Sequence, residues 1–223
     1  MRRQLYPAVV MVLVMTLLTG LVYTFAFTGF AQLVFPGKAD GSMIEVNGKE
    51  VGSKYIGQAF VDTHGKPLRK YFQSRPSAAT GPDGKTEAGY DPRLSLGSNH
   101  GPTNPCFVPD PKVPCRDDHG KKIPPIVIER VRAYRKLNGL APNSKVPVDA
   151  VTASASGLDP DVSIMNARIQ ARRVADERGL SLARVRKLVD HYTSDRWIGI
   201  IGEKRVNVLE LNLALDRIAT RGT

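Results

Sequence analysis

Residues 8–35 read AVVMVLVMTLLTGLVYTFAFTGFAQLVF, with no charged side chain among them. As a helix, this run of about 28 residues extends ~42 Å, against a hydrocarbon core of about 30 Å. It spans a bilayer with some tilt or an interfacial end. Tyr6 at one end and Tyr23, Phe25, Phe27, Phe30 and Phe35 towards the other suit the membrane–water boundary, where amphipathic rings concentrate. Pro7 fits a first helical turn, and Pro36-Gly37 stops the helix. The competing reading is a cleaved export signal, which needs a shorter apolar core and a small-x-small cleavage site. QLVFP at 32–36 is a poor one, so the expectation is an uncleaved single-pass anchor.

The flanks orient the anchor. Arg2 and Arg3 lie on the short side, whereas Lys38, Asp40, Glu45, Lys49 and Glu50 nearly cancel on the long one. Positive charge stays inside, which predicts a cytoplasmic N-terminus and a large domain outside, in the periplasm of a cell whose inner membrane holds the helix. The domain is basic too, but long domains translocate largely regardless of charge. Thr16, Gly20, Thr24 and Thr28 recur four residues apart. Small side chains at that spacing let a second helix approach closely, so the stripe predicts contact with a partner membrane helix.

Beyond the anchor, four segments are expected: a cytoplasmic tail at 1–7, the transmembrane helix at 8–35, a connector at 36–52 and one extramembrane domain at 53–223. Asn47-Gly48 marks a hairpin turn. Short strands are expected at 55–61, 71–72 and 197–201, and a strand or extended segment at 146–153. From 74 to 125 the chain is rich in Gly, Pro, Ser and Asn and reads as ordered turns and loops. Helices are expected at 126–137, stopped by Asn138-Gly139; from Ser163 to a Gly179 stop; after Ser181; and after Asn207. Strands and helices mix without βαβ alternation, so the fold class is α+β.

The net charge of +11 raises nucleic acid, anionic membrane or a plain solvated surface. No helix-turn-helix, RNP-type or zinc-finger pattern accompanies it, so no nucleic-acid partner is expected. Arg168, Arg172, Arg173, Arg184, Arg186 and Lys187 fall opposite the apolar helix faces. They read as a solvated surface or, alternatively, as a contact for acidic lipid or an acidic partner. Cys106 and Cys115, the only cysteines, are either a small disulfide loop in an oxidising compartment or two free thiols. Neither they nor the scattered His64, His100, His119 and His191 match metal-ligand spacing, so no metal is expected. There is no phosphate loop, HExxH, GxSxG or DKTG motif. Ser154 and Ser156 have no identifiable base, so no catalytic residue is expected.

Several stretches together resemble the C chain of Kdp-type potassium-transporting ATPases. They are TGLVY at 19–23, GFAQLVFP at 29–36, GSKYIGQAF at 52–60, YFQSRPSAA at 71–79, GYDPRLSLGSNHGPTN at 89–104, VTASASGLDPDVS at 151–163 and GEKRVNVLELNLALD at 202–216. Departures from the family pattern fall at Tyr55, Leu96, Ala155, Asp161 and Lys204, and the Cys106–Cys115 segment lies outside it. The resemblance implies a non-catalytic accessory subunit. In that family a channel-like chain carries potassium and a separate P-type chain hydrolyses ATP. The C chain assembles or stabilises the two, and has been proposed to raise ATP affinity as a catalytic chaperone, with Gln58 as a nucleotide contact. The chain itself would bind no cofactor; ATP and potassium belong to the complex. The charge flanks conflict with the nucleotide role, since they place Gln58 outside the cell, where polar or acidic loops would face the ion path. From the residues alone, the alternative is a membrane-anchored envelope protein that binds anionic lipid or polymer.

Overall fold

A computed structural model describes residues 2–80, 89–101, 103–109, 112–116 and 119–220. The chain divides into two units, Met1–Tyr55 and Ile56–Thr223.

In the first unit α1 (Arg2–Leu17), a π-helical stretch (Leu18–Tyr23) and α2 (Thr24–Val34) run on as one helix, long and apolar enough to cross a membrane. It starts ahead of the apolar run, so Pro7, expected in a first turn, lies inside α1, where its missing N–H removes one i→i−4 bond. Phe35 leaves the helical region at φ −135°, and Pro36 opens the single turn α3 (Pro36–Ala39). A hairpin follows, β1 (Met43–Val46) with β2 (Lys49–Ser53). Asn47 and Gly48 both take positive φ, 53° and 74°, the combination that a two-residue primed turn requires.

The second unit is α+β. It contains α4 (Ile126–Asn138), a 3-10 turn (Val148–Ala150), β3 (Asp161–Ser163), α5 (Ile164–Arg178), α6 (Leu182–His191), β4 (Thr193–Ser194), β5 (Arg205–Asn207) and α7 (Val208–Thr220). The strands form one antiparallel sheet in the order β3-β5-β4. Its core joins Ala167, Ala171 and Val174 of α5, Val185 and Val189 of α6, Leu211 and Leu215 of α7, Val162 and Val206 of the sheet, and Phe72 from the loops. The helix signals act as read. Ser163 Oγ accepts from Asn166 N (3.1 Å), Ser181 Oγ from Arg184 N (3.2 Å) and Asn207 Oδ1 from Glu210 N (2.9 Å). Gly139 and Gly179 close α4 and α5 in the left-handed conformation.

The four segments expected as strands or extended chain form no strand, each for a local reason. At 55–61 the backbone is committed to separate partners, Gly57 N to Leu158 O (2.8 Å) and Leu68 N to Phe60 O (2.9 Å). At 71–72 side chains take the backbone groups, as described below. At 146–153 Asp149 draws the chain into a 3-10 turn by accepting from Ser163 N (2.7 Å), Ser163 Oγ (2.9 Å) and Asn166 Nδ2 (3.0 Å). At 197–201 the segment folds back on itself, Trp197 N to Ile201 O (2.8 Å), around Gly199 at φ 75°.

Candidate functional site

The segment 69–76 crosses α5 and α7 as an irregular ridge, and side chains from both helices hold its backbone. Phe72 N donates to Asn212 Oδ1 (2.9 Å), and Asn212 Nδ2 returns a bond to Phe72 O (3.0 Å). Gln170 repeats the pattern one residue on, accepting from Gln73 N (2.7 Å) and donating to Gln73 O (3.0 Å). Two amide side chains thus imitate neighbouring strands. Arg173 completes the clamp: Nη1 donates to Arg69 O and to Tyr71 O (2.9 Å), Nε to Asn138 Oδ1 (2.9 Å) and Nη2 to Gln170 Oε1 (2.9 Å). The expectation of a solvated Arg173 is therefore corrected. It is 3% exposed, because α5 turns this face towards the ridge and its carbonyls. Arg168, Arg172, Arg184, Arg186 and Lys187 are exposed.

The ridge separates two hollows that share Gln73, Ser74, Arg75, Pro76 and Arg130. The larger, about 630 Å³, lies against α4 and α5 and takes Lys66, Arg69, Tyr134, Lys136 and Leu137 into its wall. The smaller, about 210 Å³, holds Gln58, Ala59, Val61, Ser77 and Tyr90. Arg75 bridges Asp159 (Nη1–Oδ2, 2.9 Å) and reaches Ala153 O (3.3 Å), while its Nε is buried without a partner. Arg130 Nη1 donates to Val151 O (3.0 Å), and burial pushes its guanidinium below the ordinary value. Burial likewise raises the Tyr90 and Tyr134 phenols. Their hydroxyls donate to Arg75 O (2.8 Å) and to Asn166 Oδ1 (2.8 Å), so both act as structural donors at neutral pH.

Gln58 is half-buried in the smaller hollow, and its carbonyl accepts from Ser74 Oγ (3.1 Å). The glycine before it has a packing reason: a Cβ on Gly57 would lie 2.4 Å from Tyr90 Cε1 and 2.6 Å from Asp159 O. Arg75 stands in the quoted YFQSRPSAA stretch, yet nothing in that stretch announces a cleft. Arg130, Tyr134 and Gln170 have no such signal, because the ridge that gives them their role is distant in sequence.

The other expected positions do not join this site. Cys106 and Cys115 are bonded to each other. Ser154 is buried, shares its hydroxyl with Ser156 Oγ (3.2 Å) and accepts from Gly157 N (3.1 Å), which makes it a turn lock. Among the described residues no three His, Cys, Asp or Glu side chains gather as a metal site. In the N-terminal apolar helix, Thr16, Gly20, Thr24 and Thr28 are exposed, and nothing stands within 4 Å of the Gly20 Cβ position. The π-helical stretch from Leu18 to Tyr23 falls between Thr16 and Thr24. Each four-residue step in an α-helix overshoots a turn by about 40°. The wider π turn, with i→i+5 bonding, turns the stripe back and opposes that drift.

Comparison with known proteins places these features in one family. The family model described as KdpC, the K+-transporting ATPase c chain, matches residues 5–217. The chain is 46% identical over 218 residues to a Mycobacterium tuberculosis protein, covering 98% of this chain and 100% of the relative. It is 45% identical over 214 residues to one from Geobacter metallireducens, covering 96% and 97%. To one from Rhodopseudomonas palustris it is 44% identical over 221 residues, covering 97% and 98%. All three relatives are named potassium-transporting ATPase KdpC subunit.

Proposed function

Because this chain belongs to the KdpC family of potassium-transporting ATPase c chains, we propose that it is the accessory subunit that assembles and stabilises the channel-like and ATP-hydrolysing chains of a potassium uptake pump. The observation that carries this reading is the membrane helix. It exposes a small-residue stripe that a helix surrounded only by lipid has no need of, and its π turn acts to keep that stripe in line. An envelope protein working alone, the other reading of the residues, leaves both features without a purpose. Replacing two stripe residues together, Gly20→Leu with Thr24→Leu, is expected to reduce recovery of the two partner chains about ten-fold in co-purification, with the variant still inserted in the membrane; the loss corresponds to roughly 1.4 kcal/mol. Undiminished recovery would exclude the stripe as the contact.

The charge flanks support a domain outside the cytoplasmic membrane. Val148 is 73% exposed, and the native cysteines are paired, so a Val148→Cys variant offers one reactive thiol. It is expected to react with a membrane-impermeant reagent in intact cells. Gln58 also shares a hollow with Arg75 and Arg130, a setting that suits phosphate oxygens and supports the reading in which this subunit raises ATP affinity. Labelling confined to lysed cells would favour that reading, since only a cytoplasmic domain meets ATP.

A further inference from the structure

We propose that the larger cleft, between α4 and the 66–76 segment, binds a small organic anion: a phosphate or carboxylate head held by Arg130 with Lys66 and Lys136, joined to an apolar body. Nothing in the subunit's assembly role calls for such a site, yet two features of the cleft converge on it.

The first is charge. The wall contains five cationic side chains, Lys66, Arg69, Arg75, Arg130 and Lys136, and no Asp or Glu. Surface cations cost little when scattered in water, but Arg130 is half-buried. Among the described residues its guanidinium bonds to the Val151 carbonyl and to no carboxylate. Buried charges are ordinarily paired, and a guanidinium is shaped to grip phosphate or carboxylate with two parallel N–H groups. Arg75 adds little to that charge, because its Nη groups are already placed on Asp159, Thr152 and Ala153. The second is shape. A volume of about 630 Å³ falls in the range of small-molecule sites, ~300–1,000 Å³. Pro67, Ala133, Leu137 and Ala150 supply an apolar wall that an inorganic ion would leave unused. Arg69 contributes less than its neighbours, because it is already bridged to Glu177 at 2.5 Å.

The head and body could come from an anionic lipid or from a free organic phosphate, and one titration separates them. Phenyl phosphate is titrated calorimetrically into the full chain held in nanodiscs of zwitterionic lipid, with inorganic phosphate and phenol as comparators. Saturable one-to-one binding is expected, about ten-fold tighter than inorganic phosphate, with phenol inert, because head and body each contribute. Arg130→Gln is expected to weaken it about ten-fold, a charge-assisted bond being worth roughly 1.5 kcal/mol or more. Lys136→Gln, at an exposed position where folding is not at risk, should weaken it about three-fold. Arg186→Gln, on the exposed face of α6, should leave it unchanged. In nanodiscs of anionic lipid, loss of phenyl phosphate binding identifies the lipid headgroup as occupant, and retained binding identifies a free anion. The site is overturned if the native chain shows no saturable binding. It is equally overturned if Lys136→Gln and Arg186→Gln weaken binding alike, since the attraction would then be diffuse.

Discussion

Arg173→Ala is expected to lower the thermal midpoint of the full chain by on the order of 10 °C, followed by circular dichroism in detergent. The side chain is 3% exposed; its removal strands Arg69 O and Asn138 Oδ1 and takes one of two donors from Tyr71 O and from Gln170 Oε1, which keep Gln73 Nε2 and Gln73 N. Each buried acceptor left unpaired costs about 1–3 kcal/mol, discounted where water enters the gap. A total of ~3–5 kcal/mol converts at about 2–4 °C per kcal/mol for a chain of this size. Arg173→Lys should recover only part of the loss, since a compact ammonium cannot reach acceptors spread around a planar fork. The effect should be flat across neutral pH. Burial holds this guanidinium at about 10, against an ordinary 12.5. A base whose folded value is depressed carries its penalty at every pH below that value and is relieved only as pH rises through it. Between pH 6 and 8 the loss is therefore constant. A shift of under ~3 °C would mean that these carbonyls find other partners.

The same arginine shows where sequence reading stops. Ser163, Ser181, Asn207, Gly139, Gly179 and the Asn47-Gly48 turn each act on backbone within a few residues, so their signals are local and they sit where expected. The uncharged run around Leu13 and Val14 is also local, since its meaning depends on length and composition alone. The ridge is different. Phe72 is joined to Asn212 across 140 positions, and Gln73 to Gln170 across 97. A β-prone Tyr71-Phe72 therefore looks like a strand, while Arg173 looks like one more cation on a helix face turned to water. Both misreadings have one cause: side chains of α5 and α7 replace the missing neighbouring strand. The clefts follow the ridge, so Arg130 and Tyr134 stayed invisible with them. Gln58 was legible only through family resemblance, and the structure adds that it lines the smaller hollow with Arg75 and Arg130.

Asn212→Leu tests that replacement directly and should cost ~2–5 kcal/mol. Leucine shares asparagine's branching but is bulkier, so no cavity accompanies the change and mild overpacking adds to a cost that is mainly polar. Phe72, fully buried, would keep an N–H and a C=O with no partner at a site that is 0% exposed, at about 1–3 kcal/mol each. Asn212→Asp separates the two bonds. The carboxylate still accepts from Phe72 N but repels Phe72 O, whereas the protonated acid can donate to it. Burial against a carbonyl would raise the folded pKa of that acid above its unfolded value. The stability it contributes is then complete at low pH and lost as pH rises through the folded value. Urea midpoints should accordingly show Asn212→Asp gaining on Asn212→Leu as pH falls from 7 to 5. Equal midpoints at both pH values would remove the second bond from the account. Asn212 and Arg173 grip adjoining residues of one segment, so their losses should not add. Once either releases 69–73, the other holds a ridge already partly free, and the double variant should fall short of the sum by roughly 1 kcal/mol or more. A simple sum would mean that α5 and α7 each hold the ridge independently. In that case the division between the two hollows would survive the loss of either helix's grip.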